Sequence, residues 1–175
     1  MVPDVAQLRP TTDQVRETVF NWLMQDVRDA SCLDLYSGTG ALGLEALSRG
    51  AQYVTFIEKN KKLSAQLKQH QVALDITKKS KVYNQDSTAW IKKNLNEKPF
   101  DVIFIDPPFS HEIYPILASL NSSQFLHEKT LLYIEQGKAL DQSLLPSNWE
   151  VLKQKNTGQV YYYLVQNREA VWKSS

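Results

Sequence analysis

The chain has little of several features that define whole classes of protein. Its single cysteine, Cys32, cannot form an internal disulfide and suits a reducing compartment. No apolar run approaches the roughly 18 to 20 residues of a membrane helix, and the first ten residues lack the basic and apolar regions of a signal peptide. The chain also has no large excess of charge of one sign, because it contains 20 lysines and arginines and 19 acidic residues. We therefore expect a cytoplasmic protein that binds no membrane and is not a strongly basic nucleic-acid coat.

What is present is ordinary globular composition, with 42% hydrophobic and 22% charged residues in a chain of 175. A chain of this length buries about 70% of its unfolded surface around one core. The sequence contains no internal repeat, low-complexity tract or linker. We therefore predict one domain over residues 1–175, with an N-terminal helical segment (1–30), an α/β core (31–145), a closing hairpin (146–166) and a tail (167–175).

Apolar residues alternate between strand and helix spacing along most of the chain. The predicted strands cover residues 32–36, 53–57, 81–84, 100–105 and 130–135, and the predicted helices include 11–27, 41–48 and 111–120. The run 100–105 is almost wholly apolar, as in a strand buried on both faces. Two further strands, 149–153 and 160–165, flank a turn at 156–158 and predict a hairpin. The pattern predicts an α/β fold with a doubly wound parallel sheet closed by an antiparallel hairpin.

The helix starts carry sequence signals of their own. Thr11 and Gln14 have the spacing of a capping box at the start of the first helix. Asn60 is the predicted cap of another helix, which carries Leu63, Leu67 and Leu74 on one side. One more helix is predicted to run through Trp90, Ile91 and Leu95.

A glycine loop follows the first predicted strand and opens a helix. Gly38 and Gly40 allow a sharp turn and a close approach of the backbone to a ligand, and the helix start offers free N–H groups. Glu58 ends the second strand, where an acid can accept from two ribose hydroxyls. Asp86 follows the third strand and can accept from an exocyclic amine. This order of elements predicts a site for an adenosine-containing ligand.

The glycines alone leave the identity of that ligand open. Residues 38–43 also fit the glycine pattern of NAD-binding proteins, and a tight turn without any ligand would look the same. Asp34 lies four residues before Gly38 at the strand tip, where a carboxylate suits an ammonium group and repels a pyrophosphate. Asp34 therefore favours a ligand with an ammonium group over a dinucleotide.

A second motif, Asp106-Pro107-Pro108-Phe109, follows the buried fourth strand at the edge where doubly wound folds bind ligands. The prolines fix the backbone and remove N–H donors, so that Asp106 and the Pro107 carbonyl form a pair of acceptors suited to an –NH₂ group. Phe109 offers a flat face on which a base can stack. The alternative is structural: the prolines would only end the strand, and Phe109 would lie in the core.

Together these motifs resemble class I S-adenosylmethionine-dependent methyltransferases that act on an exocyclic amino group. The runs LRPTTDQVRETVFNWL (8–23) and LDLYSGTGALGLEALSRG (33–50) narrow the resemblance to the bacterial family that makes N2-methylguanine at position 966 of 16S ribosomal RNA. The resemblance spans residues 8–165. It implies a Rossmann-like fold with a seven-stranded, mostly parallel sheet in the order 3-2-1-4-5-7-6, within a single methyltransferase domain whose 31–145 core binds the cofactor.

The resemblance also implies roles for the residues named above. The methionine end of S-adenosylmethionine would lie over Gly38 and Gly40 near Asp34, the ribose would meet Glu58, and the adenine amine would meet Asp86. Asp106 and the Pro107 carbonyl would hold both hydrogens of the target amine, and Phe109 would stack on the base. The site would need no metal.

The implied partner is 16S ribosomal RNA within a small-subunit assembly particle. Candidate RNA contacts are Arg9, Thr12, Arg16, Pro108, Lys153 and Lys155. For Arg9, Thr12 and Arg16, capping and surface charge are an equal explanation. Members of the family carry a further basic segment before the LRPT run, whereas Met1 here lies seven residues before Leu8. We expect cofactor binding to survive this difference and RNA affinity to be affected by it.

Two other functions share many of these residues. An adenine-N6 methyltransferase of DNA or RNA would use the same Asp-Pro-Pro-Phe chemistry, although a DNA enzyme would need a recognition domain for which 175 residues leave no room. A cofactor-binding ribosome-assembly factor without catalysis would keep the glycine loop but has no use for Asp106 and Phe109. A dehydrogenase does not account for the Asp-Pro-Pro-Phe turn or the closing hairpin.

Overall fold

The computed structural model describes residues 12–95 and 97–169, which form a sheet with helices on both faces. The strands are β1 (Ser31–Asp34), β2 (Tyr53–Ile57), β3 (Ser80–Tyr83), β4 (Phe100–Ile105), β5 (Leu126–Gln136), β6 (Trp149–Thr157) and β7 (Val160–Asn167). The helices are α1 (Asp13–Trp22), α2 (Ala41–Ser48), α3 (Lys61–Ala73), α4 (Ser87–Lys93) and α5 (Tyr114–Asn121), with a short 3₁₀ turn at Gln142–Leu144.

The sheet has seven strands in the order β3-β2-β1-β4-β5-β7-β6. Strands β1 to β5 pair in parallel, whereas β7 is antiparallel to both β5 and β6. The predicted strand order and the closing hairpin are therefore confirmed. Because β1, β2, β3, β4 and β5 run in one direction, their carboxyl ends meet along one edge of the sheet, where ligands bind in this type of fold.

The core consists of two apolar layers, one on each face of the sheet. Phe20 and Leu23 from the first helical segment pack with Phe104 of β4 on one face. Trp90 of α4 packs with Ile103 on the other. From Val102 to Ile105, successive side chains of β4 alternate between the two layers and are fully buried, as an apolar run predicts, whereas Asp101 is half-buried. Within the part of the chain that the structure describes, no helix has both the length and the apolar character to cross a bilayer.

Several predicted boundaries are wrong. The first helix ends at Trp22 rather than Val27, although Leu23 and Val27 remain buried in the turns that follow. Its cap is Thr12, whose hydroxyl accepts a hydrogen bond from the Val15 N–H at 3.3 Å. Thr11, the predicted first residue of the capping box, lies outside the described residues.

The other differences arise where tertiary packing ends an element earlier or later than local spacing suggests. Leu74 lies just beyond α3 and is 58% exposed, so it does not share the buried face of Leu67. Leu95 lies beyond α4 and is 57% exposed. Strands β5, β6 and β7 extend further than predicted. The hairpin turn consists of Gly158 and Gln159 rather than residues 156–158, and Gly158 has φ +60°.

Helix α2 packs unusually closely on β2 because of one glycine. A Cβ atom on Gly43 would lie 2.8 Å from Phe56 Cζ and 2.9 Å from Val54 Cγ1. Both partners are fully buried and have no room to move away. Gly43 therefore sets the distance between α2 and the sheet, and so the position of the loop that precedes α2.

We predict that Gly43→Ala destabilises the protein by about 1–3 kcal/mol, because the added methyl group overpacks the contact between α2 and β2. Urea unfolding of the full chain measures this change. Ser48→Ala, at the exposed end of the same helix, serves as the control and should shift the unfolding free energy by less than about 0.5 kcal/mol. Equal stability of Gly43→Ala and the parent protein would contradict the packing argument.

Candidate functional site

A cavity of about 780 Å³ opens at the carboxyl edge of the parallel strands. The loop between β1 and α2 and the end of β2 form one side of it, and the turn after β4, the end of β5, the start of β7 and helix α1 form the other. Its lining includes eight of the residues predicted from the sequence: Thr12, Gly38, Glu58, Asp86, Asp106, Pro107, Pro108 and Phe109. The fold therefore brings the two sequence motifs into one site.

Glu58 ties the glycine loop to the end of β2. Its Oε2 accepts from the Gly38 N–H at 2.8 Å, and its Oε1 accepts from the Asn60 N–H at 3.0 Å. These two bonds fix the carboxylate at the cavity wall, and each oxygen keeps a second lone pair that can accept from a ligand hydroxyl. Gly38 adopts φ +55°, and a Cβ there would project into open space. The loop backbone is thus exposed to the cavity where a ligand would lie.

Gly40 and Asp34, two further residues predicted to bind the cofactor, are not part of the cavity lining. Gly40 has φ +83°, caps α2 and is packed against Leu67 and Leu44. Asp34 is fully buried beneath the loop, where its Oδ2 accepts from the Gly43 N–H at 3.2 Å. Both residues therefore shape the loop from below rather than line the space above it.

Burial dominates the electrostatics of Asp34. It raises the pKa of the carboxyl from 3.8 to about 7, although the Gly43 N–H acts in the opposite direction and the Glu58 charge adds a smaller increase. Near neutral pH the carboxyl is therefore divided between its protonated and charged forms. A cation placed above the loop would favour the charged form.

Asp86 stands at the start of α4, and it is both a helix cap and part of the cavity wall. Its Oδ2 accepts from the Ala89 N–H at 3.1 Å. The next residue, Ser87, is buried, and its hydroxyl donates to the Leu35 carbonyl, which holds α4 against the end of β1. Asp86 thus keeps a fixed orientation on the same side of the cavity as Glu58.

The Asp106-Pro107-Pro108-Phe109 turn lines the opposite side of the cavity. Pro107 is buried, Asp106 is half-buried, and Phe109 is 38% exposed. Phe109 is therefore not a core residue, contrary to that part of the structural alternative for this motif. Its ring lies directly against Gly137, where an added Cβ would stand 2.8 Å from Phe109 Cγ and Cδ2. A glycine at position 137 therefore leaves room for the ring beside the end of β5.

One acidic residue of the cavity was missed by the sequence analysis. Glu135, near the end of β5, lines the cavity and is only 5% exposed. The Tyr133 hydroxyl donates to its Oε2 at 2.7 Å. The available signal was a charged residue at the end of an apolar strand, LLYIEQ, which no motif distinguishes from an ordinary strand end.

The candidate RNA contacts are dispersed. Thr12 and Pro108 line the cavity, whereas Arg16 lies outside its lining and pairs with Asp13 at 2.6 Å. Lys153 and Lys155 are exposed on β6 and do not line the cavity. Arg9 lies outside the described residues.

The residues present fit an adenosine-containing cofactor. Acceptors at Glu58 and Asp86 stand beside the apolar side chains of Leu35, Ile57 and Leu63 in the same cavity wall. This combination suits a ligand with a ribose, an amine and a flat ring. Among the described residues, no group of histidine, cysteine or acidic side chains could hold a metal ion.

We predict that the stability of the protein relative to Asp34→Asn falls as the pH rises from 3.8 to about 7 and is constant above that interval. In this interval the folded protein holds the Asp34 proton that the unfolded chain has already released, so that raising the pH removes stability. Asparagine does not titrate and can still accept from the Gly43 N–H. Urea unfolding of both proteins across this pH interval measures the difference, and a difference independent of pH would contradict the prediction.

Known proteins share the sequence of this chain over most of its length. The family model described as Conserved hypothetical protein 95 matches residues 1–166. A relative from Haemophilus influenzae, named Ribosomal RNA small subunit methyltransferase D, is 43% identical over 163 residues, which cover 91% of this chain and 83% of the relative. A relative of the same name from Escherichia coli strain K12 is 39% identical over 170 residues, which cover 97% and 84% of the two chains.

Solved structures share the fold. The Escherichia coli protein yhhF, named as a methyltransferase, matches with a TM-score of 0.83 and 37% identity over 93% of this chain and 89% of its own. SMU.776, named as a methyltransferase complexed with SAH, matches with a TM-score of 0.71 over 91% of this chain and 51% of its own, and its 17% identity shows the fold alone. The sequence and structural matches agree with the geometry of the cavity, and the chain belongs to the Conserved hypothetical protein 95 family, that of ribosomal RNA small subunit methyltransferase D.

Proposed function

We propose that this chain transfers the methyl group of S-adenosylmethionine to the N2 amine of a guanine in 16S ribosomal RNA, within a small-subunit assembly particle. Its family makes it a ribosomal RNA methyltransferase that uses S-adenosylmethionine. The observation that carries the finer proposal is the position of the Asp106-Pro107-Pro108-Phe109 turn, which shares one cavity with the glycine loop and Glu58.

The cofactor is proposed to occupy the side of the cavity formed by β1, β2 and the start of α4. Glu58 would accept from the ribose hydroxyls while it remains bonded to Gly38 and Asn60. Asp86 would accept from the adenine amine, and Asp34 would act through the loop from below. When bound, S-adenosylmethionine supplies a methyl group on a positively charged sulfur, which makes the carbon open to attack.

The amine of the base is proposed to lie on the other side, at the Asp106-Pro107 turn. The nitrogen lone pair of guanine N2 is conjugated with the ring and is a poor nucleophile. Asp106 and the Pro107 carbonyl would each accept one hydrogen of the amine and orient its lone pair towards the methyl carbon. Fixing two reactants in this way can contribute as much as about 7–11 kcal/mol to lowering the barrier.

The chain supplies an acceptor for the proton that the transfer releases. The N2 nitrogen would bond to the methyl carbon that the cofactor supplies, and the carbon–sulfur bond would break with its electron pair left on sulfur. The methylated nitrogen then loses one proton, and the Asp106 carboxylate that holds this hydrogen is positioned to accept it. Asp106 would thus orient the amine before the reaction and remove its proton afterwards.

The target base is proposed to enter the cavity out of its helix, since a paired guanine hides its N2 amine. Phe109 is exposed at the cavity and offers its ring as a stacking surface. Base stacking on an aromatic side chain contributes about 1–3 kcal/mol. Pro108 and Thr12 also line the cavity, where they would border the base.

We predict that Asp106→Ala lowers methyl transfer by about 100-fold or more, because the amine loses the group that orients it. The dissociation constant of S-adenosylmethionine should change little, since Asp106 is on the other side of the cavity from Glu58. The assay uses labelled cofactor with unmethylated small subunits, followed by mass spectrometry of the methylated nucleotide. Full activity of Asp106→Ala, or a methyl group found elsewhere than guanine N2, would overturn the proposal.

We also predict that Gly137→Ala lowers kcat/KM for RNA by about 10- to 100-fold, because the added methyl group displaces the Phe109 ring. The protein should remain folded, since Phe109 is exposed and can rotate away. Steady-state kinetics and a thermal unfolding curve measure the two effects. The exposed neighbour variant Lys138→Ala is the control, and unchanged kinetics in Gly137→Ala would show that the ring position does not matter.

A further inference from the structure

Glu135 stands beside the amine-binding turn. The strands β4 and β5 pair in register at Ile105 and Ile134, so that Asp106 and Glu135 are neighbours one position further along. Adjacent strands lie about 4.8 Å apart. Side chains alternate along a strand, which puts Glu135 on the same face of the sheet as Tyr133. Glu135 is 5% exposed and lines the cavity.

Tyr133 holds the Glu135 carboxylate in one orientation. Its hydroxyl donates to Glu135 Oε2 at 2.7 Å. Burial, together with the nearby charges of Glu135 and Asp106, raises the pKa of the Tyr133 phenol well above its ordinary value. Tyr133 therefore remains a hydrogen-bond donor at any neutral pH. On the other side of β5, Glu135 pairs with Tyr162 of β7, which is 1% exposed.

This part of the cavity is a row of acceptors. The Asp106 carboxylate, the Pro107 carbonyl and the Glu135 carboxylate can each accept a hydrogen bond from a ligand. The edge of guanine that carries N2 offers the ring N1–H next to the two amine hydrogens. Adenine instead offers a bare N1, an acceptor, next to its amine.

We propose that Glu135 selects guanine by accepting a hydrogen bond from its N1–H while Asp106 and Pro107 hold the N2 amine. This inference rests on the proposed function and adds to it a residue that recognises the ring rather than the amine. With adenine in the same position, the Glu135 carboxylate would face the lone pair of N1. The two acceptors would repel each other, and Glu135 would exclude adenine from the site.

A base analogue separates the two contacts. The base 2-aminopurine keeps the N2 amine but has a bare N1 and no oxygen at position 6. Small subunits are reconstituted with 16S ribosomal RNA that carries either guanine or 2-aminopurine at the methylated nucleotide. We predict that the parent protein methylates guanine about 10- to 100-fold more efficiently than 2-aminopurine in kcat/KM, as expected for a lost specific base contact.

The deciding variant is Glu135→Gln, which keeps the size of the side chain and an acceptor for the Tyr133 hydroxyl. Its amide can donate to the bare N1 of 2-aminopurine, so the preference for guanine should fall to within about threefold. Methylation of guanine itself should fall by about tenfold, because a charge-assisted hydrogen bond is lost. The measured quantity is the ratio of kcat/KM for the two substrates.

Three control variants separate recognition from structure. Glu128→Gln changes an exposed acid on the same strand and should leave the ratio and both rates unchanged. Glu58→Gln should raise the KM for S-adenosylmethionine without changing the ratio. Tyr133→Phe removes the hydroxyl that orients Glu135, and it should lower both rates while guanine remains preferred.

The outcomes distinguish this inference from the function on which it rests. If the parent protein forms no N2-methylguanine, both are overturned. If it forms N2-methylguanine and Glu135→Gln keeps the parent preference over 2-aminopurine, the proposed function stands and the role of Glu135 is overturned.

Discussion

The parallel pairing of β2, β1, β4 and β5 is the constraint on which the site depends. Each of these strands delivers its carboxyl end to the same edge of the sheet, so residues far apart in the sequence become neighbours. Glu58 bonds to Gly38 across twenty positions of sequence, and Asp106 lies next to Glu135 across twenty-nine. An antiparallel strand in the middle of this sheet would send one of these ends to the opposite edge and divide the site.

Local sequence predicted those features in which chemistry and secondary structure coincide. Glu58 and the Asp106-Pro107-Pro108-Phe109 turn follow strands directly. A residue at the carboxyl end of a parallel strand lies at the ligand-binding edge of the sheet. Asp34 was predicted to place a carboxylate at the strand tip near an ammonium group, and its side chain lies buried below the loop, where it accepts from the Gly43 N–H. The spacing between Asp34 and the glycine loop predicts where the Asp34 backbone lies. The direction of its side chain depends on helix α2, which supplies the Gly43 N–H.

Glu135 was not predicted because its importance comes entirely from tertiary structure. One acid at the end of β5 carries no motif, and only the register with β4 shows that it faces the same space as Asp106. The same reasoning applies to Gly137, which matters through the Phe109 ring that lies against it. Leu74 illustrates the converse: helical spacing favoured its burial, but α3 ends one residue before it.

Strands β3 and β6 form the two borders of the sheet. Border strands present unpaired backbone groups that can recruit a strand from another molecule. Each carries exposed lysines, Lys81 on β3 and both Lys153 and Lys155 on β6. Closely spaced positive charges of a second copy would repel these side chains. The lysines of β6 would therefore also oppose edge-to-edge pairing of two copies, whether or not they contact RNA.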